Sequence, residues 1–221
     1  MFFRDRAEAG RLLAERLLHL RGQDTVVLAL PRGGVPVSVP IAEALGAVLD
    51  LLMVRKIGAP GNPEYGIGAI VGGLRPQTII RKEVSRELGI TDGYIEQECA
   101  REMQEIERRR ALYPHGRHPT KLEGRTVILV DDGIATGVTI RAGLLALERA
   151  GAARIVLAAP VVPPEVADAL RPLCDEAVFL AEPASFQAVS ASYGDFHQVT
   201  DAEVIALLDQ AASRPGRDEA T

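Results

Sequence analysis

The chain has 221 residues, 47% of them apolar and 25% charged, which suits one well-buried α/β domain and excludes a disordered chain. No apolar run approaches the roughly 20 residues that cross a bilayer, and Met1-Phe-Phe-Arg-Asp-Arg lacks a signal-peptide core, so we expect a cytoplasmic protein with no membrane partner. A net charge of −5, the absence of Trp and a single basic run, Arg108-Arg109-Arg110 behind Glu102, Glu105 and Glu107, argue against a nucleic-acid partner; Cys99 and Cys174 are too few for a disulfide framework or a zinc site.

Residues 4–20 carry Leu12, Leu13, Leu17 and Leu20 near helical spacing, with Arg11, Glu15 and Arg16 elsewhere: an amphipathic helix ending near Gly22. Residues 25–30 read as a buried strand. Pro31-Arg32-Gly33-Gly34 follows at once, and Pro36 fits the first turn of a helix running to Gly46. A Gly-Gly pair between strand and helix lets backbone approach an anion. Residues 49–54 are the next expected strand, ending in Arg55-Lys56, where a sheet of this kind binds ligands. The chain holds three lysines, Lys56, Lys82 and Lys121, so a Lys at that spot is a candidate contact. Residues 58–66, with two prolines and three glycines, read as an exposed loop. Residues 67–71 and 77–81 read as two strands joined around Gly72-Gly73.

A long helix is expected over 92–112. Ile95, Cys99, Met103 and Ile106 make one apolar stripe, read as core or a dimer contact, and Glu105 can pair with Arg109 outside. The Pro- and Gly-bearing stretch 114–121 reads as a solvated linker in which His115 and His118 bind nothing. Residues 127–130 are a second fully apolar strand, and 140–150 a helix stopped by Gly151. Residues 154–159 are another buried strand, 160–164 its end loop, then a helix to about 173 and a short strand over 176–180. Phe186, Tyr193 and Phe196 lie in an irregular stretch, 182–200. Asp201 caps a last helix to about 208, and 212–221 read as a frayed, disordered tail. This alternation predicts a parallel, Rossmann-like α/β sheet covered on both faces, with its ligand site at the carboxyl edge.

The most informative stretch joins two of these elements: Val127-Ile-Leu-Val-Asp-Asp-Gly-Ile-Ala-Thr-Gly-Val-Thr139. Small and hydroxylated residues opening a helix offer backbone N–H groups and the helix dipole to an anion. Asp131 and Asp132 at the strand end cannot favour a phosphate, but they can accept hydrogen bonds from a sugar diol or hold Mg²⁺ through water. A phosphate site beside a diol site suits a phosphorylated ribose.

The stretch closely resembles the phosphoribosyl pyrophosphate (PRPP) signature of the type I phosphoribosyltransferases, and is most similar to a bacterial group of unassigned acceptor. The resemblance covers about 25–200. It implies that Asp131 and Asp132 meet the ribose hydroxyls and that Ala135, Thr136, Gly137, Val138 and Thr139 wrap the 5′-phosphate. It also implies that Arg32, Gly33 and Gly34 cradle the pyrophosphate, with Arg55 and Lys56 offsetting its charge. A non-proline cis peptide is expected at Pro31–Arg32 or Arg32–Gly33. A mobile hairpin carrying Glu64 and Tyr65 would close over the substrates. A hood from 1–20 and 182–211 would cover a core of 25–181 within one domain, 1–211. Val161, Phe186, Tyr193 or Phe196 would meet the base, and Asp195 is a weak second candidate metal ligand beside Asp131 and Asp132. The implied activity is Mg²⁺-dependent transfer of phosphoribose from PRPP to a nitrogenous base, through an oxocarbenium-like ribose, by a homodimer. Catalysis would rest on Asp131, Asp132, Arg32 and Lys56. No Lys lies in Cys174-Asp-Glu-Ala-Val-Phe179, where enzymes for 6-oxopurines carry one, which counts against hypoxanthine and guanine. Alternatives are a PRPP- or nucleotide-sensing regulator of the same fold and a Mg²⁺-dependent phosphotransfer enzyme. The second lacks a Gly-x-x-x-x-Gly-Lys-[Ser/Thr] loop.

Overall fold

Two apolar pentads, Thr25–Ala29 and Thr126–Val130, lie side by side at the centre of the molecule. The computed structural model describes residues 1–72, 76–113 and 120–212, without the side chains of Pro63 and Glu64. In chain order its elements are α1 (Arg6–Leu17), β1 (Thr25–Ala29), α2 (Gly34–Leu45), β2 (Val48–Leu51), β3 (Val54–Ala59), β4 (Asn62–Val71), β5 (Gln77–Ile80), α3 (Lys82–Glu87), α4 (Asp92–Leu112), β6 (Thr126–Val130), α5 (Val138–Arg149), β7 (Arg154–Val161), α6 (Pro164–Leu170), β8 (Glu176–Ala181) and α7 (Asp201–Ala212). Short 3-10 turns follow α1 and α6 and span Val189–Ser192.

Strands β2, β1, β6, β7 and β8 form one parallel sheet in that order. The inner strands β1, β6 and β7 are almost wholly apolar and buried because both faces are covered. Val27, Ala29, Ile128 and Val130 face α1, α2 and α7, packing with Leu13, Ile41 and Val204. Val26, Leu28, Val127 and Leu129 face α5 and α6, packing with Ile140, Leu144 and Leu170. This is the expected doubly covered sheet.

The run 49–54 departs from expectation. It divides between two sheets: β2 ends at Leu51, and Val54 opens β3 of a separate antiparallel sheet, β3-β4-β5. Leu52 and Met53 are buried in different clusters between them. An apolar run that stays buried while crossing from one sheet to the next carries no mark of the crossing. The expected exposed loop 58–66 is instead the tip of this hairpin. Gly58 and Ala59 are buried strand residues, and the turn falls at 60–61, with Gly61 at φ +72°. The glycines and prolines serve a bulge, since the β3/β4 register shifts at Ile57/Gly58 and Gly58/Ala59. Pro63 lies ahead of Gly68, where pairing with β5 begins, so its missing N–H breaks no ladder on that side.

The hairpin sheet packs on α5 with one face, where the Gln77 side-chain amide donates to Ala146 O at 3.0 Å, and on α4 with the other. Ile106 is buried there, and Ile95, Cys99 and Met103 pack beside it, so the α4 stripe is core. The Glu105–Arg109 pair forms at 2.7 Å. His115, His118 and the tail from 213 lie outside the described residues; α7 runs to Ala212, past the expected end.

Candidate active site

The site is built where β1 and β6 end side by side. Leu30 N donates to Val130 O at 2.9 Å, so the loops after both strands start together. The 131–137 loop is pinned by Ile134, which is buried and donates its N–H to Val161 O at 2.9 Å. Gly137 takes φ +71° and no side chain caps α5. The first-turn N–H groups of a helix have no partner within it; here they open beside Ala135, Thr136, Val138 and Thr139, all exposed. Gly137 itself is buried against Val166 and Leu170.

The two glycine loops touch. A Cβ on Gly33 would sit 1.9 Å from Asp132 Oδ2, so only glycine lets the 31–34 loop lie against that carboxylate. A cis peptide joins Pro31 and Arg32, one of the two positions expected. Gly34, the first residue of α2, is backed by Val130 O in the same way.

Asp131 and Asp132 are both only partly accessible. Burial pushes the Asp131 carboxyl well above the usual carboxylate range, and the adjacent Asp132 charge adds to the push. Burial raises Asp132 too, opposed by a guanidinium that the sequence reading overlooked: Arg6 Nε donates to Asp132 Oδ2 at 2.8 Å. Arg6 is itself buried, 7% exposed. The sequence held a signal for it. Arg6 continues the α1 stripe of Ala9, Gly10, Leu13, Ala14 and Leu17, and a charge on a buried stripe needs a buried partner.

The expected cations part company. Neighbouring residues on a strand face opposite ways, so Arg55 turns to α4, where its Nε pairs with Glu102 at 2.7 Å. In this structure the Arg55 guanidinium, expected at pyrophosphate, is therefore engaged with α4. Lys56 turns the other way. Its Cδ and Cγ lie 3.2 and 3.3 Å from where a Gly66 Cβ would be, and Val138 of the phosphate-type loop lies 3.7 Å from that same point. Arg32 reaches towards α7, with Nη1 3.9 Å from Asp201 Oδ1, and Asp201 also accepts from the Tyr113 hydroxyl at 2.7 Å. Tyr65, beside Gly66, is exposed; the Glu64 side chain lies outside the described residues.

The base candidates are mostly packed away. Tyr193 is 5% exposed, its ring between Phe3 (centroids 5.4 Å) and Phe196 (5.1 Å), and its hydroxyl donates to Asp132 O at 2.6 Å. Burial raises its hydroxyl pKa strongly. Its ring, expected to meet the base, thus packs between two protein rings. Phe196 carries the Arg6 guanidinium 3.9 Å above its ring, so one face is taken. Val161 is fully buried, with Val189 against the same space over Gly133. Phe186 is half-buried. Asp195 is exposed and bound to His197, whose ring nitrogen lies 2.9 Å away; that hydrogen bond holds its carboxyl below the usual range. Among the described residues no group of three or more His, Cys, Asp or Glu is placed to hold a metal ion. A cavity of about 370 Å³, lined by Leu49, Met53, Tyr113, Leu147 and Leu208, touches none of these site residues.

At one edge of a parallel α/β sheet, then, meet an uncapped helix start, two carboxylates and a glycine loop pressed against one of them. The model of the phosphoribosyl transferase domain matches residues 5–178, and the chain belongs to that family, as its resemblance to the type I enzymes implied. Two provisionally named phosphoribosyl transferases of Mycobacterium tuberculosis, from the CDC 1551 and H37Rv strains, are each 42% identical over 210 residues, 95% of this chain. The chain spans about half the length, 47%, of these relatives. The crystal structure of the TT1426 protein from Thermus thermophilus is 43% identical, with a TM-score of 0.79, covering 95% of this chain and 99% of that one.

Proposed function

We propose that this protein transfers the 5-phosphoribosyl group of PRPP to a nitrogenous base and releases pyrophosphate. The observation that carries the reading is the meeting of three features at one sheet edge: the uncapped start of α5, the Asp131–Asp132 pair and the Gly33 loop against it. Exposed backbone N–H groups over 135–139 would take the 5′-phosphate. Asp131 and Asp132 would accept hydrogen bonds from the ribose diol and stabilise positive charge as the C1–O bond to pyrophosphate breaks. The base nitrogen then attacks C1 from the opposite face. Lys56 and Arg32 would offset the leaving-group charge, Lys56 because its stem and Val138 of the 135–139 loop both lie beside Gly66. Mg²⁺ would neutralise pyrophosphate, held by its oxygens with water-mediated help from Asp131 and Asp132. Asp195 is less suited, being bound to His197. We assign residues 1–211 to one domain acting in the cytoplasm as a homodimer.

The test is calorimetric titration of PRPP with Mg²⁺, with pyrophosphate release followed over a panel of bases in the same buffer. Micromolar binding with release for one base is the expected result. Binding with no release for any base would favour the PRPP-sensing alternative, and no binding would refute both.

A further inference from the structure

Arg6 uses its guanidinium in three ways. Nε donates to Asp132 Oδ2 at 2.8 Å, Nη1 donates to His197 O at 2.9 Å, and the plane lies over Phe196. The main chain of Asp132 is held as well, by the Tyr193 hydroxyl on its carbonyl at 2.6 Å. Both grips come from the ends of the chain. Those ends are laced together by Phe3 N to Ser192 O (2.9 Å), Gly194 N to Phe3 O (2.8 Å) and Asp195 N to Arg4 O (2.8 Å). On its other side Asp132 has the Gly33 loop. Oδ2 carries the Arg6 hydrogen bond, and both carboxylate oxygens lie over Gly33, Oδ2 nearer than Oδ1.

We propose that Arg6, with Tyr193, is a positioning residue that fixes the Asp132 carboxylate for the ribose diol of the phosphoribosyl donor. The proposal rests on the phosphoribosyl reading above. Packing the chain ends together needs no contact with the site. Here the best-buried cation of α1 is spent on the carboxylate itself, and a neighbouring aromatic hydroxyl on its carbonyl. Two consequences follow. A carboxylate with one oxygen held presents the other in a fixed direction, so ordering entropy is lost before the sugar arrives. One of two adjacent negative charges is also offset at 2.8 Å, which lowers the repulsion a polyanionic donor would meet. Lysine could supply the charge but not the fork or the flat face on Phe196.

The test compares two probes by calorimetry: ribose 5-phosphate, which has the diol, and inorganic phosphate, which does not. The proteins are wild type, Arg6→Gln, R6K, Asp132→Asn, the R6Q/D132N double variant and Tyr193→Phe. R6Q and R6K should each bind ribose 5-phosphate about tenfold more weakly with phosphate binding unchanged, and R6Q should add nothing once D132N is present. Y193F, which keeps the packed ring, should lose about threefold on ribose 5-phosphate alone. Wild-type affinity for ribose 5-phosphate in R6Q, equal losses on both probes, or a further tenfold loss in the double variant would each overturn the proposal. If R6Q does not fold, Y193F decides: unchanged ribose 5-phosphate affinity overturns it. A wild-type protein that binds phosphate but not ribose 5-phosphate removes the phosphoribosyl reading itself, and this inference with it.

Discussion

Gly33→Ala isolates the contact on which the site reading depends. The new Cβ would lie 1.9 Å from Asp132 Oδ2, whereas real Cβ atoms essentially never come within 3.0 Å of such an atom. The carboxylate must therefore retreat by at least 3.0 − 1.9 = 1.1 Å, or the loop must. Asp132 is the easier of the two to move, but it moves only by leaving Arg6 Nε, now 2.8 Å away. A hydrogen bond to a charged group contributes about 1.5–3 kcal/mol, so thermal or denaturant unfolding should show a loss of about that size. The misdirected carboxylate should weaken PRPP binding by about 10- to 100-fold, each tenfold being about 1.4 kcal/mol. Calorimetry with PRPP and Mg²⁺ gives the second number on the same sample. A G33A protein with wild-type PRPP affinity would show that the Gly33–Asp132 contact is packing alone.

Asp131→Asn with Asp132→Asn should abolish measurable PRPP binding while leaving a folded protein, checked by calorimetry beside circular dichroism; surviving affinity would refute the role of the pair. Gly137→Ala should cost about 1–2 kcal/mol in unfolding, because an L-residue is strained at φ +71° and its Cβ would press on Val166 at 3.1 Å. Gly93→Ala, with nothing within 4 Å of the added Cβ, should instead stabilise α4 by about 0.4–1 kcal/mol in the same assay. Tyr113→Phe should cost about 1 kcal/mol at neutral pH through the lost bond to Asp201. It also has a pH signature. Burial, then the Asp201 hydrogen bond, pushes the Tyr113 hydroxyl up to about 12 from 10.0. The folded state therefore keeps a proton that the unfolded state loses, and stability should fall as pH rises from about 10 to 12. Melts across that range should show a shallower fall in Y113F.

The doubly covered parallel sheet was legible because its strands are short apolar runs and the crossovers have helical spacing, two of them ending at Gly46 and Gly151. The 127–139 stretch was legible for a related reason: strand, carboxylates, phosphate-type loop and helix are contiguous, so their chemistry is local. Whatever depended on two distant segments meeting was hidden. The run 49–54 gave no hint that Leu51 and Val54 serve different sheets, because burial looks the same in both, nor that Arg55 pairs with Glu102 of α4. That Tyr193 is packed against Phe3 and bonded to Asp132 O was hidden because both partners lie far away in sequence. Arg6 was half-legible: its place on the α1 stripe announced a buried charge, but nothing local named the partner. The sequence by itself determined the sheet, the two loops and the pair of carboxylates. The tertiary structure alone decided that the loops touch at Gly33, that Arg55 pairs with Glu102 of α4 while Lys56 packs beside Gly66, and that the chain ends hold Asp132. Each of those is a contact across many residues, and a one-dimensional pattern records burial but not what a buried group is buried against.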